Sequence, residues 1–187
     1  MAFATPPSFS GTWQCDLGVD HASCHTSGRP GAQTLPMKAD GTGDFHARRL
    51  KKLLTEADLE SCRVDEWTRG VTFPGRDREW VIEATLTPDW VHLSTAFCDV
   101  PKEAGLRGRL YEHAMQENRR MNLAKFGTVA KSLVLELDYS AEHVDARVLA
   151  NLIGFAASIA QAQYPAVCRI VSGDEALEVL EASMRVR

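Results

Sequence analysis

The hydrophobic period changes twice between Met121 and Ser172, and few folds accommodate such a change. Met121–Phe126 reads as a short strand, Gly127–Ala130 as a turn and Lys131–Tyr139 as a second strand. Successive strand side chains point to opposite sides, so Leu133, Leu135 and Leu137 take one face and Val134, Glu136 and Asp138 the other. From Val148 the spacing turns helical, and Val148, Leu149, Leu152, Ile153, Phe155, Ala156, Ile159 and Ala160 make one broad apolar stripe. A hairpin with an amphipathic helix laid across it follows. That unit is a scaffold and carries no reaction chemistry of its own.

The upstream pattern extends the same sheet. Asp44 is positioned to cap a first helix running to about Ala57. Strands are expected over Asp65–Phe73, Glu79–Thr87 and Trp90–Cys98, with Pro74–Asp77 and Thr87–Asp89 as turns, which makes an antiparallel meander. Pro101 to about Arg120 reads as a second helix with Leu106, Leu110, His113, Ala114 and Glu117 along one side. Tyr164-Pro165 is expected to stop the third helix, since proline disfavours helical geometry in the residue before it. Ser172–Glu175 matches a capping box that opens a last short helix, Asp174 to about Met184. The expected class is α+β: an antiparallel sheet in the order helix, three strands, helix, two strands, helix, plus a C-terminal helix.

Residues 43–187 read as a single domain, and 1–42 as an irregular extension punctuated by Pro6-Pro7, Gly28–Gly31 and Leu35-Pro36. Two readings of the extension stand: a start-site artefact ahead of Met37, or an arm anchored by Phe3, Phe9 and Trp13.

Composition excludes several classes. Apolar content of 44% and charged content of 25% are those of an ordinary soluble globule. No apolar run approaches the roughly eighteen residues of a membrane span, and the N-terminus lacks the features of a signal peptide, so a cytoplasmic protein is expected. A net charge of −4 disfavours nucleic acid as a partner, because that binding rests on neutralising phosphates. The basic stretch His46–Leu54 is either a surface helix burying Leu50, Leu53 and Leu54 or a contact for an acidic partner or RNA. The five cysteines are expected to be reduced thiols, with Cys62, Cys98 and Cys168 acting as small hydrophobes. Cys15, His21, Cys24 and His25 form the one cluster with metal-ligand chemistry, but its spacing departs from that of zinc sites. Neither a metal nor a cofactor is expected.

Catalytic signatures are missing as well. No Gly-x-Ser-x-Gly turn, no glycine-rich phosphate loop and no His-x-x-x-His pair occurs, so a non-enzymatic role is expected. Glu112, Glu117, Arg119 and Arg120 read as solvated charge pairs on the second helix. Trp67, Trp80 and Trp90 crowd one meander. Either they supply the core, or Trp90 at a hairpin edge is an anchor for a partner. The second helix has a broad apolar face, with Leu106, Leu110, Tyr111, Ala114 and Met115 spread over more arc than one contact needs.

The element order, with Leu123-Ala-Lys-Phe-Gly127, Leu133-Val-Leu-Glu-Leu137 and Leu149-Ala-Asn-Leu-Ile-Gly-Phe-Ala156, resembles the class I type III secretion chaperones, the Tir-chaperone-like fold, and the related YbjN-type small bacterial proteins. The resemblance spans about residues 44–173. It implies a homodimer formed around the second helix and the neighbouring strand, whose sheets hold an extended segment of a client protein. It offers no catalytic residue to carry over. The chain departs from that pattern in the arm before Asp44 and in the helix after Ser172.

The expected function is a protein-binding module, chaperone- or adaptor-like, that holds a segment of a partner protein on an apolar surface or at a short edge strand. The expected contact residues are Trp90, Trp67, Leu106, Leu110, Tyr111 and Met115. The alternative is a structural or accessory subunit of a larger bacterial assembly, docking through the N-terminal arm and C-terminal helix. A third reading is an enzyme whose site has no linear signature.

Overall fold

Alternation in the strands and the helical stripes resolve into a two-layer arrangement: one sheet, with helices against one of its faces. A computed structural model describes residues 42–76 and 78–173. In chain order the elements are α1 (Thr42–Glu56), β1 (Cys62–Arg63), β2 (Thr68–Pro74), β3 (Glu79–Leu86), β4 (Trp90–Asp99), α2 (Ala104–Arg120), β5 (Ala124–Val129), β6 (Ser132–Ser140), a 3-10 turn (Ala141–His143) and α3 (Ala146–Ser172). The six strands form one sheet in the order β1-β2-β3-β4-β6-β5, and every neighbouring pair is antiparallel. This is the expected α+β class, with helix, strands, helix, strands, helix in the expected sequence.

Register explains where the core sits. Ala84, Leu93, Leu137 and Ala124 stand opposite one another across β3, β4, β6 and β5, as do Thr95, Leu135 and Phe126 across the last three. Those rows put the apolar residues of each strand on one side. α3 crosses the middle of that side, α1 lies over β2 and β3, and α2 lies over β5 and against α3. Leu50, Leu53 and Leu54 of α1 are buried there, the first of the two readings of that basic stretch. Leu135 and Leu152 share this core. Arg49 ties α1 to the far end of the sheet by donating to the Ala141 and Val144 carbonyls.

Several boundaries differ from the sequence pattern, each for a local reason. α1 starts at Thr42, ahead of Asp44, and α2 at Ala104 rather than Pro101. A two-residue strand, β1, joins the meander, too short to show a period. β2 begins at Thr68, because the Asp65 carboxylate accepts from the amides of Trp67 and Thr68 at 2.8 and 2.7 Å and holds Asp65–Trp67 in a turn. Gly127 is not in a turn but inside β5, where a Cβ would come within 2.7 Å of Glu136 Oε2 on the neighbouring strand. The hairpin turns instead at Ala130-Lys131, with Ala130 at a φ of 55°.

The largest departure is α3, which runs through Pro165 to Ser172. Proline removes its own bond to the residue four earlier and crowds that residue's carbonyl, but both Pro165 and Gln161 are exposed, so water reaches the carbonyl left over. Val167 and Ile170, buried within the next one and a half turns, keep the helix on the sheet. Gly173, at a φ of 82°, ends it. The Ser172 hydroxyl donates to the Arg169 carbonyl. The expected helix from Asp174 and the N-terminal extension, with Cys15, His21, Cys24 and His25, lie outside the described residues.

Candidate functional site

Two of the surfaces left uncovered among the described residues carry expected contact residues: the second face of the sheet and the outer face of α2. On the second face, Thr68, Thr85, His92 and Asp138 form one cross-strand row and Glu83, Ser94, Glu136 and Lys125 the next. The Thr68 and Thr85 hydroxyls are bonded at 3.1 Å, and His92 Nδ1 lies 2.7 Å from Asp138 Oδ1. These bonds fix side chains that none of the described helices covers. Val81 is exposed on this face, while Val134, opposite Ala96 and Gly127, is buried within it. Lys125 faces Glu136 by register, yet its ammonium donates to the Asn118 and Met121 carbonyls at the end of α2, a favourable place for a cation.

Trp90 stands at the rim of this face and is 53% exposed. Its position is set by the β3–β4 turn: the Trp90 amide donates to Thr87 Oγ1 at 3.0 Å, and the Thr87 amide and hydroxyl both bond the Trp90 carbonyl. The Ala141 amide, donating to the Asp89 carbonyl at 2.8 Å, docks the turn on the rest of the sheet. The indole is therefore presented on a rigid corner. Trp80, by contrast, is a core residue, and Trp67 is half-buried.

On α2, Tyr111 and Met115 are exposed, Met115 at 69%. With Gly108, Glu112, Gln116 and Arg119 they line a shallow depression of about 430 Å³ along a single helix face. A Cβ at Gly108 would meet nothing within 4 Å. A glycine in an exposed helix interior costs about 1 kcal/mol against alanine, and nothing in this protomer requires one there. The expectation for Leu110 is corrected: it is fully buried in the protomer's own core, since it points to the sheet while Tyr111 points away. Leu106 is half-buried. Trp90 and the α2 residues are not brought together, for they lie on opposite sides of the sheet.

Glu117 is also corrected. It is not solvated but 9% exposed, and its carboxylate accepts from Arg120 Nη1 at 2.7 Å and from Gln163 Nε2 of α3 at 2.9 Å. Cys168, expected to act as a small hydrophobe, is exposed on α3.

The free edge of β5 is blocked at one position, Phe126. Alternate residues of an edge strand direct both backbone groups outward. At Phe126 those groups are taken by one side chain: the Phe126 amide donates to Asn118 Oδ1 at 2.6 Å, and Asn118 Nδ2 donates to the Phe126 carbonyl at 3.0 Å. No sequence pattern announces this contact, because Asn118 sits on a helix and its target eight residues on. At the opposite edge the outermost strand is the two-residue β1, and β2 beyond it ends in Pro74, which has no amide to offer.

Among the described residues no helix is long and apolar enough to cross a membrane. No family model matches the chain, and no curated protein matches it.

Proposed function

We propose that this protein is a non-enzymatic binding module, chaperone- or adaptor-like, that holds a segment of a partner protein against the second face of its sheet. The observation that carries the reading is the one-sided arrangement: three helices against one face and, among the described residues, none against the other. Trp90, fixed and half in solvent at the rim, supplies an anchor of the kind enriched at interface hot spots. The order of helices and strands supports the resemblance to the class I type III secretion chaperones and YbjN-type proteins, and with it a cytoplasmic homodimer. Gly108, Tyr111 and Met115 support α2 as the dimer surface, since a glycine lets a second helix approach closely and a twofold axis sets the same patch against itself.

The test separates the two surfaces. The tagged protein is isolated from its own cells beside Met115→Glu and a Val81→Lys/Trp90→Ala variant, each checked by circular dichroism for native folding. Light scattering is expected to give a dimer for the wild type and the sheet variant and a monomer for Met115→Glu. A defined polypeptide, identified by mass spectrometry at fixed stoichiometry, is expected with the wild type and lost from the sheet variant. A wild-type monomer at tens of micromolar refutes the dimer. Equal recovery of the polypeptide with the sheet variant refutes the second face as its seat.

A further inference from the structure

The outer face of α2 carries opposite charges on either side of its exposed apolar side chains. Glu112 stands one turn before Met115 and Arg119 one turn after it, and both line the same depression as Met115 and Tyr111. With 3.6 residues per turn, Glu112 and Arg119 point within about 20° of each other, along one flank of the line through Met115. They lie about 10 Å apart along the helix axis, beyond the three- and four-residue spacings at which charges pair on a single helix.

Neither charge is used within the protomer. Among the described residues Arg119 makes no ion pair, whereas its neighbour Arg120 bonds Glu117. Glu112 likewise has no ionic partner there and accepts only a long bond from Gln116 Nε2, at 3.4 Å. Burying this acid and this base against a plain apolar surface would cost their hydration. They suit a surface of the reverse polarity, and the same face turned end for end is such a surface. A twofold axis crossing the helices sets them antiparallel and keeps each flank against itself, so acid meets base twice. A parallel pair would leave each acid level with the other acid and two turns from the base.

We propose that two copies pack α2 against α2 in antiparallel orientation, Glu112 of each paired with the partner's Arg119, and that these two ion pairs select a second copy over other apolar surfaces. This orientation rests on the reading of α2 as the dimer surface and adds what chooses the partner there. The pairing also sets the register. The axis passes between Met115 and Gln116, so Met115, the most exposed of the large apolar side chains described, packs on its own copy. Gly108 then faces the stretch that follows the partner's α2, where in this protomer Leu123 is 47% exposed.

Sedimentation equilibrium compares the wild type with Met115→Glu, Glu112→Arg, Arg119→Glu and the double swap Glu112→Arg/Arg119→Glu, each checked by circular dichroism for native folding. Each single swap sets like charges together at both ends of the contact and is expected to weaken the dimer about tenfold or more. The double swap restores opposite charges and is expected to recover most of that loss, and mixing the two single-swap proteins is expected to give a heterodimer. Glu112→Gln and Arg119→Gln, which are gentler on the fold, are expected to fall between the wild type and the swaps. Raising sodium chloride from about 0.05 M to about 0.5 M is expected to weaken the wild-type dimer and strengthen the single swaps, since salt screens both attraction and repulsion. Single swaps that dimerise like the wild type, while Met115→Glu is monomeric, overturn the antiparallel pairing and leave α2 standing as the dimer surface. So does a double swap that dimerises no better than the single ones. A wild-type monomer, or a dimer that Met115→Glu does not disturb, refutes the dimer reading itself and the pairing with it.

Discussion

Replacing Glu117 with alanine tests whether the seam between α2 and α3 rests on one buried carboxylate. Two bonds are lost, and they are unequal. The Arg120 partner is 74% exposed, so that pair resembles a surface ion pair and contributes about 0.2–1 kcal/mol. The bond from Gln163 is different, because its loss leaves a half-buried amide without a partner, which costs about 1–3 kcal/mol. Alanine returns a few tenths of a kilocalorie in helix propensity. The expected net loss is therefore about 1–3 kcal/mol. Glu117→Gln keeps an acceptor for Gln163 and is expected to lose roughly half as much. Glu117→Leu with Gln163→Leu, which removes the polar pair together, is expected to lie near the wild type. Urea unfolding followed by tryptophan fluorescence suits the measurement, since Trp80 is buried. With a slope of about 1–3 kcal/mol per molar, the midpoint for the alanine variant falls by about 1 M at constant slope. A loss below about 0.5 kcal/mol for Glu117→Ala refutes the reasoning, and so does a double-leucine protein no more stable than the alanine variant.

Leu135→Ala empties a site that is 2% exposed under α3, and equilibrium unfolding is expected to record a loss of about 2–5 kcal/mol; a loss under half a kilocalorie would place Leu135 on the wrong face. Asn118→Ala is expected to cost about 1–3 kcal/mol and to speed hydrogen exchange at the Phe126 amide, and unchanged exchange there would show that Asn118 does not close the edge. The raised thiol of Cys98 makes stability fall between about pH 9 and about pH 11. In that window the unfolded chain releases the proton first, and the neutral thiol of the folded state no longer keeps pace. Cys98→Ala is expected to flatten this part of the stability profile, and an unaltered slope would assign it to other groups.

Period and burial agree where side chains meet the core in a regular repeat. Leu133, Leu135 and Leu137, or Leu149, Ile153, Ala156 and Ala160, are buried as their spacing requires. Disagreement appears where a single contact from outside the element decides its end. Asp65 shortens β2 with its own carboxylate. Glu136 claims the space over Gly127, so a residue with turn chemistry lies in a strand. Pro165 fails to stop α3 because Val167 and Ile170 reach the core beyond it, and burying two such side chains contributes about 3–6 kcal/mol against the roughly 3 kcal/mol that a proline costs inside a helix. The proposed contact surfaces were legible in the same measure. Tyr111 and Met115 differ from Leu110 only in phase, and the phase is set by the direction α2 takes over β5.

The two halves of the proposed function place separate demands on the sheet, and the geometry keeps them apart. α2 lies over β5 on the face that carries the core, with Tyr111 and Met115 turned away from it. A second copy seated on Gly108 and its neighbours approaches from the helical side, so each protomer's second face stays accessible. Main-chain capture at the β5 edge would instead set the two at odds. Asn118, which plugs that edge at Phe126, belongs to α2, and freeing the edge means disturbing the helix on which the proposed dimer rests. A partner segment lying across the second face needs no such displacement. Its recognition then depends on side chains such as Trp90 and Val81 rather than on an exposed ladder of backbone groups, and selectivity among clients follows from that dependence.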